Sequence, residues 1–97
     1  MFEYNEIELK EALSKYFLDE NGLKLIIFPK KQKQKNLCLL HIMKLFKEDK
    51  EYKEKDINEV LMNVYPDYVM VRRYLIDYNL LLRKPDGSAY WVNNLSD

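Results

Sequence analysis

The chain has 97 residues, of which 47% are hydrophobic and 33% are charged, with only two glycines and three prolines. This composition is typical of a compact folded domain, and the length predicts a single domain over residues 1–97. A domain of this size has no room for a large enclosed substrate cleft, so we expect no enzymatic activity. Sixteen basic and sixteen acidic side chains give a formal net charge of zero, whereas a dedicated nucleic-acid binder is more often basic.

Cysteine content and hydropathy indicate the cellular environment. Cys38 is the only cysteine, so an intramolecular disulfide is excluded. A single thiol within an apolar run is typical of a core residue in a reducing compartment, and we expect a cytoplasmic protein. No stretch approaches the roughly 20 apolar residues that cross a bilayer, and the N-terminus does not resemble a signal peptide. We therefore expect no membrane partner.

A first helix is predicted within the acidic residues 1–20. Asn5 is a suitable N-cap, and Glu8 three residues later completes the pattern of a capping box. A stripe with helical spacing follows and consists of Leu9, Ala12, Leu13, Tyr16 and Phe17. The helix is expected to end before the turn-forming residues 19–22. We interpret residues 1–20 as an N-terminal helical extension and residues 23–93 as the core of the fold.

The middle of the chain predicts a β-rich segment at residues 23–28 and two further helices. The second helix follows a lysine run at residues 30–35 and ends near Lys47. Its apolar stripe consists of Leu39, Ile42, Met43 and Phe46. The third helix ends before Pro66, which interrupts helical structure. Its stripe consists of Ile57, Val60, Leu61 and Val64.

A fourth helix, predicted at residues 67–78, has two different faces. Wound at about 100° per residue, it places Val71 and Leu75 on one side. Tyr68 and Tyr78 share that side. Met70, Arg73 and Asp77 face the opposite way, and Arg72 lies on a flank. If Val71 and Leu75 face inwards, the two arginines are displayed on the surface.

A two-stranded hairpin is predicted directly after the fourth helix. Asn79 tolerates the left-handed conformation that often ends a helix, and Asp86-Gly87 favours a tight turn between residues 80–84 and 90–92. A helix followed at once by a hairpin is the layout of a winged helix. We predict an α+β, winged-helix-like domain with a three-helix core, a C-terminal β-hairpin and an extra N-terminal helix. The hairpin is expected to pair either with residues 23–28 or with a segment near Tyr52.

Basic residues in this layout are candidates for contacts with nucleic acid. In DNA-binding winged helices the last helix enters the major groove and the hairpin lies against the backbone. Paired guanidinium groups bind phosphates or read guanine, and lysines neutralise phosphates. The candidates are Arg72, Arg73, Lys30, Lys31, Lys33, Lys35, Arg83 and Lys84.

Each candidate also has a structural interpretation. Arg73 can pair with Asp77 at the i, i+4 spacing, and Arg72 can pair with a carboxylate elsewhere in the fold. The lysine run can be a solvated surface. Lysines at a helix N-terminus oppose the helix dipole, which indicates compensation either by a bound anion or by the acidic first helix.

Two classes of function remain open. The first is a DNA-binding or transcription-regulatory module that contacts double-stranded DNA. The second is a protein-interaction module, as a homodimer or with a regulatory protein, which is favoured by the zero net charge and by the acids Asp67, Asp77 and Asp86.

Cys38 and His41 lie three apart on one helix, but two ligands do not make a structural zinc site. We predict that both residues pack in the core, with no metal and no cofactor.

Most of the chain from about Leu23 onward resembles a known family. The matching residues are Arg72-Arg73-Tyr74-Leu75-Ile76-Asp77-Tyr78-Asn79-Leu80-Leu81 and Asp86-Gly87-Ser88-Ala89-Tyr90-Trp91. They are similar to the signature of the bacterial domain of unknown function family 2087. The resemblance implies a winged-helix-like domain that is found alone or attached to transcription regulators. The chain departs from the family at Asn79, where Gly is usual, and at Lys53, where Thr is a better N-cap.

Overall fold

The computed structural model describes residues 4–18 and 23–94. These residues form four α-helices, a short 3-10 helix and an antiparallel hairpin, which confirms the predicted α+β class. The elements are α1 (Glu6–Tyr16), α2 (Gln32–Ile42), the 3-10 helix (Met43–Leu45), α3 (Glu54–Met62), α4 (Tyr68–Asp77), β1 (Leu81–Arg83) and β2 (Tyr90–Val92). No helix in this part of the chain combines the length and the apolar character needed to cross a membrane. The turn predicted at residues 19–22 lies outside the described residues.

The start of α1 is as predicted, because its cap depends on neighbours in the sequence. The Asn5 side chain accepts a hydrogen bond of 2.8 Å from the Glu8 backbone N–H. The apolar stripe of α1 packs against α2, and the Phe17 ring that follows it meets the His41 ring edge-on at 5.2 Å between centroids. The buried members of the predicted stripe are Ala12, Leu13, Tyr16 and Phe17, and Leu9 is half-buried. The N-terminal helix is therefore attached to the core by apolar packing.

The order of elements after α1 is that of a winged helix. α2 ends at Ile42, and the 3-10 helix carries the chain to the buried Phe46. Tyr52 then forms an antiparallel bridge with Tyr90, through two backbone hydrogen bonds of 2.7 and 2.8 Å. Of the two pairings left open by the sequence, the hairpin thus uses Tyr52. The other candidate segment, residues 23–28, instead forms a single bridge between Leu25 and Phe17.

Apolar side chains from three helices form the centre of the core. Those with no exposed surface are Leu39 and Ile42 of α2, Ile57 and Leu61 of α3, and Val71 and Leu75 of α4. Burying one such side chain stabilises a fold by about 1.5–3 kcal/mol relative to leaving it exposed. The predicted three-helix core is confirmed, with α3 and α4 packed closely against each other.

A Schellman motif at the end of α4 brings the hairpin beside that helix. Leu80 N–H donates to the Leu75 carbonyl and Asn79 N–H donates to the Ile76 carbonyl, both at 3.0 Å. Asn79 has a φ of 59°, the left-handed conformation that this motif requires. The chain therefore reverses just after α4, and β1 begins at Leu81, four residues after Asp77.

The hairpin turn follows the pattern expected of Asp86-Gly87. Gly87 N–H donates to the Lys84 carbonyl at 2.8 Å, and Gly87 has a φ of 75°, which glycine adopts without strain. Asp86 accepts a hydrogen bond of 2.9 Å from the Ser88 backbone N–H. This turn sets the register in which Arg83 lies opposite Tyr90. Tyr90 is buried and Trp91 is half-buried, as alternation along the strand predicts.

Candidate nucleic-acid interface

The outward face of α4 carries charged residues because its apolar residues face the core. Val71 and Leu75 have no exposed surface, and Arg73 and Asp77 are exposed, as the helical spacing predicts. Asp67 caps the helix, since its side chain accepts a hydrogen bond of 3.2 Å from the Met70 backbone N–H. Arg73 is therefore presented to solvent on a helix that is fixed at both ends.

A cleft of about 210 Å³ separates α4 from the hairpin. Its lining consists of Arg72, Arg73, Ile76, Asp77, Arg83 and Tyr90, and we call it the arginine cleft. The sequence contains three arginines and thirteen lysines. All three arginines line this cleft, and Asp77 is the acidic member of the lining. The cleft is therefore a concentration of guanidinium groups on a chain whose net charge is zero.

Arg72, one of the lining residues, is bound into the fold. Its guanidinium donates a hydrogen bond to the Asn58 side chain and lies 3.8 Å from a Glu54 carboxylate oxygen, and 20% of the Arg72 side chain is exposed. The Tyr90 hydroxyl donates to Glu54 at 2.9 Å. Burial and this hydrogen bond raise the pKa of Tyr90, so the phenol stays protonated. The sequence left open whether Arg72 pairs with a carboxylate elsewhere in the fold. In the structure Glu54 is that carboxylate, and Arg72 also lines the cleft.

Arg73 and Arg83 have no such partners. Both side chains are exposed, and neither forms a hydrogen bond or an ion pair with any residue in the described ranges. Arg73 and Asp77 stand four apart on α4 but form no ion pair. Both guanidinium groups line the arginine cleft, one from α4 and one from β1, with their donors available.

Part of the lysine run is neutralised by the N-terminal helix. Lys33 forms an ion pair with Glu8 of α1, and the hydrogen bond from Lys33 lowers the pKa of the Glu8 carboxyl. Lys30 and Lys31 are exposed just before α2. The acidic first helix therefore offsets positive charge at the start of α2. The sequence left open whether this helix or a bound anion does so.

Lys35 joins the lysine run to α4. Its ammonium nitrogen lies 5.0 Å from the centroid of the Tyr74 ring, and Tyr74 stacks on Phe28 at 5.1 Å. Arg73 precedes Tyr74 on the same helix and lines the arginine cleft together with Arg83. We call Lys35, Arg73 and Arg83 the basic strip. Its members lie on α2, α4 and the hairpin, where Lys84 is also exposed.

Cys38 and His41 pack in the core, as predicted. Cys38 has no exposed surface, and burial raises the pKa of its thiol to about 12. His41 is 8% exposed and lies against Phe17. In residues 4–18 and 23–94, no three His, Cys, Asp or Glu side chains are grouped as metal ligands would be.

The residues that hold Arg72 are not predicted by the sequence. Asn58 and Glu54 lie on α3 outside its apolar stripe, and alternation along the strand left open which of Tyr90 and Trp91 faces inwards. Only the fold shows that Asn58 and Glu54 meet Arg72 and that the Tyr90 hydroxyl meets Glu54. One signal was available, because every arginine of the chain falls between residues 72 and 83.

Comparison with known proteins gives one match. Neither a search of curated proteins nor a search of solved structures found a similar protein. A protein-family model described as "Uncharacterized protein conserved in bacteria (DUF2087)" matches residues 24–92. The matched range contains the basic strip and the whole arginine cleft but not α1. The chain belongs to this bacterial family, DUF2087.

Proposed function

We propose that the protein is a DNA-binding domain of the winged-helix type that acts in transcription regulation in the bacterial cytoplasm. In this arrangement α4 lies in the major groove of duplex DNA and the hairpin lies along the backbone. Arg73 and Arg83 contact phosphates or base edges, and Lys30, Lys31, Lys35 and Lys84 contact the backbone. The convergence of all three arginines on the cleft between α4 and the hairpin is the observation that carries this proposal.

The distribution of charge supports DNA binding in spite of the zero net charge. Two acidic groups are engaged within the fold, since Glu8 pairs with Lys33 and Glu54 accepts from Tyr90, while Asp77 is the exposed acid of the cleft. The side chains of Arg73 and Arg83 remain exposed and without partners in the described ranges. A local patch of this kind attracts phosphates over about one Debye length, roughly 8–10 Å at 0.1–0.15 M salt, regardless of the total charge.

Titration of the full chain with a random-sequence duplex, followed by fluorescence anisotropy at two salt concentrations, tests the proposal. We expect binding that weakens steeply as salt rises, because each neutralised phosphate adds about 0.9 to the slope of log K against log salt. Arg73→Ala and Arg83→Ala should each lower the affinity about tenfold and reduce that slope by about one. Lys10→Ala is the matched control, since Lys10 is an exposed cation on α1 outside the strip.

A protein-interaction module is the second candidate. It is favoured by an apolar groove of about 250 Å³ lined by Leu23, Leu45, Val60, Asn63 and Val64. Met62, on the neighbouring turn of α3, is 56% exposed. Light scattering over a range of protein concentrations tests the homodimer: a dimer that Leu45→Asp converts to a monomer supports it, and a monomer at every concentration contradicts it.

A further inference from the structure

The arginine cleft has a chemical selectivity that a general basic surface lacks. Arginine presents five N–H donors in a planar fork that matches two oxygens of a phosphate, whereas lysine presents a compact point charge. With thirteen lysines in the chain, a surface that needed only positive charge would not require arginine. The three arginines nevertheless line one cleft, which indicates a ligand with paired oxygens.

The walls of the cleft are placed to hold such a ligand from two sides. Arg73 lies on α4 and Arg83 on β1, and the Schellman motif at Asn79 brings these elements together. Two other lining residues are held within the fold, since Arg72 is bound to Asn58 and Tyr90 to Glu54. A group entering the cleft therefore meets two side chains held by hydrogen bonds and two guanidinium groups without partners in the described ranges.

The charges around the cleft match one phosphate group. Arg72 and Glu54 lie 3.8 Å apart and offset each other. The lining carries three guanidinium groups and the carboxylate of Asp77, so together with Glu54 the formal charge is one positive. A phosphodiester carries one negative charge, and two charge-assisted forks can bind its two free oxygens.

We infer that the arginine cleft binds a single phosphate group, with Arg73 and Arg83 as its direct ligands. This inference deepens the proposed function and rests on it for the source of the phosphate, the DNA backbone. The chemistry is shared by free inorganic phosphate, which makes a suitable probe. Binding of one phosphate between α4 and the hairpin would fix the register of the domain on a duplex.

The experiment is an NMR titration of the full ¹⁵N-labelled chain with inorganic phosphate at constant ionic strength, with chloride as the exchanged anion. We expect saturable shifts of the Arg73 and Arg83 side-chain N–H signals. Arg73→Lys and Arg83→Lys keep the charge but lose the fork, and each should weaken phosphate binding about tenfold. Lys10→Ala should bind as the wild type does. Shifts that do not saturate, or lysine variants with wild-type affinity, would overturn the inference.

A parallel titration with a short duplex separates this inference from the proposed function. Saturable phosphate binding at the cleft without DNA binding would keep the phosphate site, assign it to free phosphate and remove the DNA-binding proposal. DNA binding without saturable phosphate binding at the cleft would remove the phosphate site and keep the DNA-binding proposal. The basic strip would then attract DNA by diffuse electrostatics.

Discussion

The ammonium group of Lys35 lies 5.0 Å from the centroid of the Tyr74 ring. This contact joins the start of α2 to α4, one residue from Arg73. It brings one lysine of the run beside the helix that carries Arg72 and Arg73. Lys33, two residues earlier, is instead held by Glu8 of α1. Of these two lysines, Lys35 thus belongs to the basic strip and Lys33 is paired with the N-terminal helix.

Glu8→Gln should strengthen DNA binding. The substitution releases Lys33 from its ion pair, so one more cation becomes available to phosphates. We expect the slope of log K against log salt to steepen by about 0.9, measured by anisotropy over a salt series. Glu6→Gln is the control, because Glu6 lies in the same first turn and is exposed. An equal effect of both substitutions would show that only net charge matters.

Lowering the pH should imitate the Glu8 substitution. The pKa of Glu8 is depressed in the folded state, so its ion pair with Lys33 is present above the ordinary carboxyl pKa of about 4.5. The contribution of this pair to folding is lost as the pH falls through the depressed folded value. An NMR titration of the Glu8 carboxyl checks the direction, and a midpoint at or above 4.5 would contradict the ion pair.

Arg72→Ala should destabilise the fold more than Arg73→Ala does. Removing Arg72 leaves Asn58 without its hydrogen bond and Glu54 without a nearby cation, with an expected loss of about 1–2 kcal/mol in the free energy of unfolding. Arg73 is exposed and unpartnered within the described ranges, so its substitution should change that free energy by less than about 0.5 kcal/mol. Urea unfolding of the two variants makes the comparison. Equal losses would contradict the structural role of Arg72.

Asn79 should tolerate glycine but not alanine. Its φ of 59° is the left-handed conformation, which costs a residue with an ordinary side chain about 1 kcal/mol or more. Asn79→Ala should lower the free energy of unfolding by about 1 kcal/mol, and Asn79→Gly should raise it by about 0.5 kcal/mol. Thermal unfolding of both variants tests the opposite signs. A stable Asn79→Ala variant would show that the chain can leave α4 by another route.

Alkaline pH should weaken the fold through Cys38. Burial raises its pKa from 9.0 to about 12, so the unfolded thiol ionises first as the pH rises. Stability that is complete below pH 9.0 is therefore lost progressively towards pH 12, by about 1.4 kcal/mol at pH 10. Urea unfolding at pH 7.5 and pH 10 should show a smaller loss for Cys38→Ala than for the wild type. Equal losses in the free energy of unfolding would show that other groups cause the alkaline effect.

Local features of the fold could be predicted from the sequence, and contacts between distant segments could not. The cap at Asn5, the inward side of α4 and the turn at Gly87 depend on residues within one or two turns of each other. The pairing of the hairpin with Tyr52 depends on how α3 packs, so the sequence left two choices open. The hydrogen bond from Arg72 to Asn58 joins two helices and has no local signature.

The candidate site shows the same division. Helical spacing predicted that Arg73 is exposed and that Arg72 lies on a flank, and the structure confirms both. It did not predict that Arg83 shares a cleft with them, because that depends on the reversal at Asn79 and on the register of the hairpin. Lys33 contacts α1 and Lys35 contacts α4. The sequence does not show which helix packs beside each lysine.

The most direct test of the DNA-binding proposal is an NMR footprint of a short duplex on the full ¹⁵N-labelled chain at low salt. We expect the largest changes at Lys35, Arg73 and Arg83, with small changes at the apolar groove around Leu45. Changes confined to that groove, or none at all with excess duplex, would contradict it.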